Sequence, residues 1–160
     1  MKKLSVILVL VIFIAACGNN NDTSSAAGSD QFDSTAIAKN NDNPSYDPKR
    51  GEGKFKKVEL GASLDATMAA TGEKVYSVKC SGCHKITEEK LVGPGWKGVT
   101  SRHQPEWIMN FVTNTDEMLN KDPKAQAQLE ICLVRMPNQN LTDDDARNLL
   151  EFMRRNDGVK

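Results

Sequence analysis

Two cysteines and a histidine in the run Cys80-Ser81-Gly82-Cys83-His84 restrict this 160-residue chain more than any other feature. Thiols three residues apart lie on one face of a helical turn, with the imidazole of the next residue close to both. That pattern suits covalent attachment of a haem: each thiol adds to one vinyl group, and His84 becomes the proximal iron ligand. Gly82 keeps the space beside the porphyrin clear. Other chemistries also use close cysteine pairs. A thioredoxin-like pair calls for a strand–helix context, and no alternating strand pattern is visible here. A zinc site would recruit Cys132 and a histidine, yet Cys132 stands in a helical stretch without a companion at ligand spacing. A Cys80–Cys83 disulfide would suit an oxidising compartment.

The N-terminus reads as an export signal. Lys2 and Lys3 precede an apolar run from Leu4 to Ala16, which is short for a membrane span. Ile14-Ala15-Ala16-Cys17-Gly18 looks like a bacterial lipobox. That resemblance implies cleavage before Cys17, acylation of the new terminal cysteine, and stable membrane anchoring by more than one acyl chain. An uncleaved anchor or a plain secretory signal would also leave the rest of the chain outside the cytoplasm. Residues 18–45 are rich in Asn, Asp, Ser, Ala and Gly and carry almost no large apolar side chains. Such a stretch buries too little surface to offset its ordering, so it reads as a disordered tether. The chain thus divides into a signal peptide (1–16), an acylated flexible tether (17–62) and a folded domain (63–160). Within 46–62, Phe55, Val58 and Leu60 suit an extended strap on that domain.

From Ser63 onward the periodicity is helical, which makes the domain all-α with about four helices. Met68, Gly72, Val75, Tyr76 and Lys79/Cys80 recur at spacings of three and four. Pro105 suits a first helical turn, with Trp107, Ile108, Phe111 and Val112 facing inward. Asp122-Pro123 repeats that start, with Ala125, Leu129, Cys132 and Leu133 apolar. Thr142 with Asp145 forms a capping-box pair before a terminal stripe of Ala146, Leu149, Leu150 and Met153. Gly72 and Tyr76 are expected to cross this last helix. Only 6% of residues are aromatic, a thin core that a large apolar cofactor would complete. Lys and Arg equal Asp and Glu at 21 each, and removing residues 1–16 leaves 19 basic and 21 acidic residues. Net charge therefore suggests no nucleic-acid partner.

Over residues 64–157 the chain resembles the single-haem class I cytochromes c. The resemblance is carried by CSGCH, Gly93-Pro94, Met136-Pro137 and the closing amphipathic helix. The runs LVGPGWKGVT and RMPNQNLT are similar to small bacterial cytochromes that accompany nitrous oxide reduction. The family implies a small helical bundle around one covalent haem c, cycling between Fe(II) and Fe(III) to carry electrons rather than to act as an enzyme. It also implies that the carbonyl of Pro94 accepts the proximal histidine's other N–H. A second axial ligand is required, and a methionine sulfur would raise the potential. Met136 alone precedes proline, which holds it out of helical geometry. Met118 and His103 stay open as alternatives, although His103 reads as a solvated loop residue. Trp96 and Trp107 could give an indole N–H to a haem propionate, or serve only as core. Cys132 reads as a buried small apolar residue.

Family and compartment imply a quinol-oxidising membrane complex as donor and an extracytoplasmic reductase or oxidase as acceptor. Residues 72–102 hold six basic and three acidic side chains, against seven and ten in residues 103–160. That asymmetry could orient the carrier at an acidic partner surface. A fixed haem subunit of a larger enzyme, or a ligand-binding or peroxidase-like haem protein, are the alternatives.

Overall fold

A computed structural model describes residues 46–160. The signal peptide, the lipobox with Cys17, and the tether over 18–45 lie outside the described residues. Among the described residues six helices follow one another, where about four were expected: α1 (Ala66–Lys79), α2 (Val99–Arg102), α3 (Pro105–Thr113), α4 (Thr115–Lys121), α5 (Pro123–Cys132) and α6 (Asp143–Asn156). Among the described residues the only β-pairing is an isolated bridge between His84 and Lys90.

The frame of the domain is the crossing of α1 with α6. Asp65 caps α1 by accepting from the Met68 amide at 2.9 Å. Gly72 is the point of closest approach: a Cβ there would stand 2.0 Å from Asn148 O. The Thr142–Asp145 capping box starts α6, with three acids in its first turn where the helix dipole favours negative charge. Ala146, Leu149, Leu150, Phe152 and Met153 form its buried face.

The two unforeseen helices are short. Gly98, in left-handed backbone at φ 74°, opens α2. Asp157 pins that turn from the far end of the chain, accepting from the Gly98 amide at 2.6 Å and from the Thr100 amide and hydroxyl at 2.9 and 2.6 Å. Asn114 separates α3 from α4, and Met118 and Leu119 bury the latter's inner face. Asp122 then caps α5 through the Ala125 amide at 2.8 Å. One expectation for α5 fails: Leu133 is its left-handed C-cap and 85% exposed, not part of an apolar inner stripe. At φ 59° Leu133 ends α5 in the left-handed conformation that stops many helices, and its side chain stands in solvent.

The packed body includes residues assigned from sequence to the tether. Phe55, Val58 and Leu60 pack on the core as the expected strap. The Phe55 amide donates to Asn110 Oδ1 at 2.9 Å, and Asn110 Nδ2 returns bonds to Arg50 O and Phe55 O at 3.0 Å each. Val58 donates to Glu106, Arg154 reaches Gly61 O, and Tyr46 Oη donates to the buried Asp122. The folded unit therefore already includes Tyr46, ahead of the boundary read at residue 63.

Candidate cofactor site

The last turn of α1 delivers the motif. The Cys80 amide donates to Tyr76 O, and the amides of Cys83 and His84 both donate to Cys80 O at 3.0 and 2.9 Å. This tight turn leaves Cys83 exposed and both Cys80 and His84 buried. Burial pushes the Cys80 thiol up to about 11, against the opposing pull of Lys79. No disulfide joins Cys80, Cys83 or Cys132. Among the described residues no cluster of three or more His, Cys, Asp or Glu could hold a metal ion, so the zinc reading has no site.

His84 is held from several sides. Its Nδ1 lies 2.9 Å from Pro94 O, so the ring N–H donates there and Nε2 is left free. Tyr76 Oη donates to His84 O at 2.7 Å. Trp96 packs between Tyr76 and His84, with centroids 5.0 and 5.4 Å away. A Cβ on Gly93 would come within 2.3 Å of His84 Cε1, so only glycine leaves room for the ring. Burial lowers the imidazole pKa, with the Pro94 bond acting the other way. A neutral imidazole with one nitrogen tied and one free is what an iron ligand requires.

A cavity of about 430 Å³ opens beside His84, walled by apolar side chains that include Val92, Val99, Ile108, Phe111 and Leu119. Cys83, Pro94, Trp96, Trp107 and Met136 stand in the same wall. Cys80 is not among the wall residues and belongs to the buried core cluster. Of the other methionines, Met153 lines the cavity from α6. Met118 lies outside it, fully buried, its Sδ accepting from the Glu52 amide at 3.0 Å. The indole N–H of Trp107 donates to Asp122 Oδ2 at 3.0 Å. Its ring stacks on Phe111.

Two other wall residues depart from their sequence readings. His103 is no solvated loop residue: it is half-buried and stacks on Trp107 at 3.9 Å between centroids. Cys132 is half-buried at the wall, not enclosed in the core. The charged residues that line the cavity, Arg102, Lys124 and Arg135, are all basic. They come from separate elements, and no spacing in the sequence joins them. An apolar slot with a fixed imidazole, a nearby thioether and a basic wall fits a flat apolar macrocycle that carries carboxylates.

Comparison with known proteins agrees. Residues 69–157 match the family described as Cytochrome c. A cytochrome c from Rhodothermus marinus is 31% identical, with a TM-score of 0.64 over 66% of this chain and 90% of that one. An engineered form of it is 30% identical, with a TM-score of 0.66 over 69% and 98% of the two chains. A related engineered form, bound to a carbene intermediate, gives 30% and 0.63 over the same shares. No curated protein matches the sequence significantly. With this helical architecture and this cavity, the chain belongs to the cytochrome c family, whose cofactor is covalently attached haem c.

Proposed function

We propose that the protein is a membrane-tethered electron carrier in which Cys80 and Cys83 hold the haem by thioether bonds and His84 and Met136 are its axial ligands. One observation carries this reading: His84, its Nδ1 engaged by Pro94, and Met136 line the same apolar cavity. When bound, haem c supplies a one-electron Fe(III)/Fe(II) couple. His84 offers the Nε2 lone pair, and the Pro94 bond fixes both its tautomer and its ring plane. Met136, outside any helix and just before Pro137, offers a sulfur that favours ferrous iron. The apolar walls keep water from the iron, which lowers the reorganisation needed on electron transfer. With both axial positions taken, the protein carries electrons rather than binding a substrate.

Val92 and Val134 line the cavity and are also exposed, so they stand where it meets solvent. Leu91, Ile131 and Leu133 beside them in sequence are exposed as well. Lys90 Nζ donates to Ile131 O at 2.8 Å and links the two segments. This apolar rim, with basic residues in the 72–102 half, supports weak docking to a quinol-oxidising donor and to an extracytoplasmic reductase or oxidase. The segments LVGPGWKGVT and RMPNQNLT support an acceptor connected with nitrous oxide reduction. The same exposed side chains favour a second reading, a fixed haem subunit. Co-purification of a stoichiometric partner from detergent extracts would select it. Among the described residues no helix is long and apolar enough to cross a membrane. In the proposed reading the anchor is acylated Cys17, and Cys17→Ser is expected to move the protein from the membrane to the soluble extract.

A spectroelectrochemical titration of the haem-loaded protein tests the carrier reading. A reversible one-electron wave and no carbon monoxide binding to the ferrous form are expected. Rapid carbon monoxide binding would favour a ligand-binding or peroxidase-like site instead.

A further inference from the structure

Among the described residues two carboxylates are fully enclosed, Asp122 and Glu151. They are balanced in different ways. Glu151 lies between two guanidinium groups, Arg154 at 2.7 and 2.8 Å and Arg147 at 2.6 Å, so its charge is cancelled where it stands. Asp122 has no cation of the described residues within ion-pair distance. Its partners are neutral donors from three parts of the fold. The strap gives the Tyr46 hydroxyl, α3 the Trp107 indole N–H at 3.0 Å, and α5 the Ala125 amide at 2.8 Å. All three donate, as an ionised carboxylate requires, and the N-terminus of α5 adds a favourable dipole. Such a shell makes the buried anion tolerable without cancelling it.

That charge stands one hydrogen bond behind the cavity. Trp107 lies in the cavity wall, and so do Lys124 and Ala125 of the helix that Asp122 caps. The basic wall residues Arg102, Lys124 and Arg135 are exposed, where water and salt screen them. Asp122 is 0% exposed, so its field crosses protein rather than solvent. We infer that Asp122 is the fixed counter-charge of the ferric haem and holds its midpoint potential down. The inference rests on the haem-carrier reading above. One electron passes from the donor to the iron, Fe(III) becomes Fe(II), and the cofactor loses one unit of positive charge; no bond or proton moves at Asp122. A fixed negative charge therefore favours the ferric state, against Met136, whose sulfur favours the ferrous one. At an effective dielectric of about 20, a unit charge across one layer of side chains is worth a factor of about ten in redox equilibrium, about 59 mV for one electron.

Midpoint potentials of the haem-loaded wild type, Asp122→Asn and Tyr46→Phe test this, each read beside the ferric sulfur–iron band that reports the axial ligands. Asparagine still caps α5 but lacks the charge. Asp122→Asn is expected to keep the band and to raise the potential by about tenfold in redox equilibrium, alike at low and high salt. Tyr46→Phe removes one donor and leaves the charge less dispersed, so it is expected to lower the potential, by about twofold. Asp122→Glu keeps the charge and is expected to stay within about twofold of wild type. If Asp122 served only to place Trp107 and start α5, loss of its bonds would shift the potential in one direction whichever partner was removed. Shifts of the same sign in Asp122→Asn and Tyr46→Phe would overturn the inference. So would an Asp122→Asn potential at or below wild type, or loss of the sulfur band in that variant, each leaving the carrier reading intact. Should Asp122→Asn fail to accumulate, Tyr46→Phe decides, and an unchanged or raised potential there overturns the inference. A wild-type preparation without covalent haem would instead bring down the carrier reading, and this inference with it.

Discussion

Met136 and Met118 place the same sulfur in opposite surroundings. Met136 lines the cavity from the non-helical segment between α5 and α6, whereas Met118 is enclosed by the strap, with Gly51 and Glu52 against its sulfur. Met136→Ala is expected to retain covalent haem but to lose the ferric sulfur–iron charge-transfer band and to bind carbon monoxide. Met118→Ala should keep that band and cost about 2–5 kcal/mol in denaturant unfolding, the usual range for truncating a buried methionine. If Met118→Ala instead abolished the band, the assignment of the sulfur ligand would be wrong. At Gly93 a methyl group collides with the His84 ring. Gly93→Ala should therefore disturb the low-spin optical spectrum, and an unchanged spectrum would show that the ring has more freedom than the structure gives it. At this scale the sequence exposes residues that local chemistry marks: the paired thiols with their histidine, and the methionine before a proline. His103 carries no such mark. It lies just ahead of Pro105, where α3 begins, so helical spacing says nothing of the stacking on Trp107 that buries it.

The helices divide along similar lines. Long elements with caps were legible: Pro105, Asp122-Pro123 and Thr142 with Asp145 all start helices where their chemistry predicts. The four residues of α2 and the seven of α4 hold too few turns for a periodic pattern, and tertiary bonds such as those from Asp157 fix α2. Removing the cap by Thr142→Ala should cost about 1 kcal/mol, read as a lower denaturant midpoint with the spectrum unchanged. Gly72→Ala is a harsher test of the α1–α6 crossing, because its Cβ meets backbone that cannot swing aside. A loss of about 3 kcal/mol or failure to accumulate as holoprotein is expected, since overpacking against rigid neighbours sits at the top of its usual range. A variant as stable as the parent would mean that the helices can separate at no cost.

For the whole molecule, the sparse aromatic content and the apolar cavity are two sides of one fact: the protein leaves part of its interior to a cofactor. The strap shows where sequence reasoning stopped short. Residues 46–62 are basic and glycine-punctuated, and beyond Phe55, Val58 and Leu60 little in them predicts packing. Their hold on the domain comes from backbone amides bonded to Asn110 and Glu106, and from Tyr46 on Asp122, all distant in sequence. Composition cannot reveal bonds of that kind. The central claim, covalent haem on Cys80 and Cys83, is tested most directly by expressing residues 46–160 with haem-attachment machinery and staining a denaturing gel for haem, beside the Cys80→Ser/Cys83→Ser double variant. The account predicts haem that migrates with the wild-type polypeptide and none with the variant. Haem lost from both on denaturation, or retained equally by both, would contradict it.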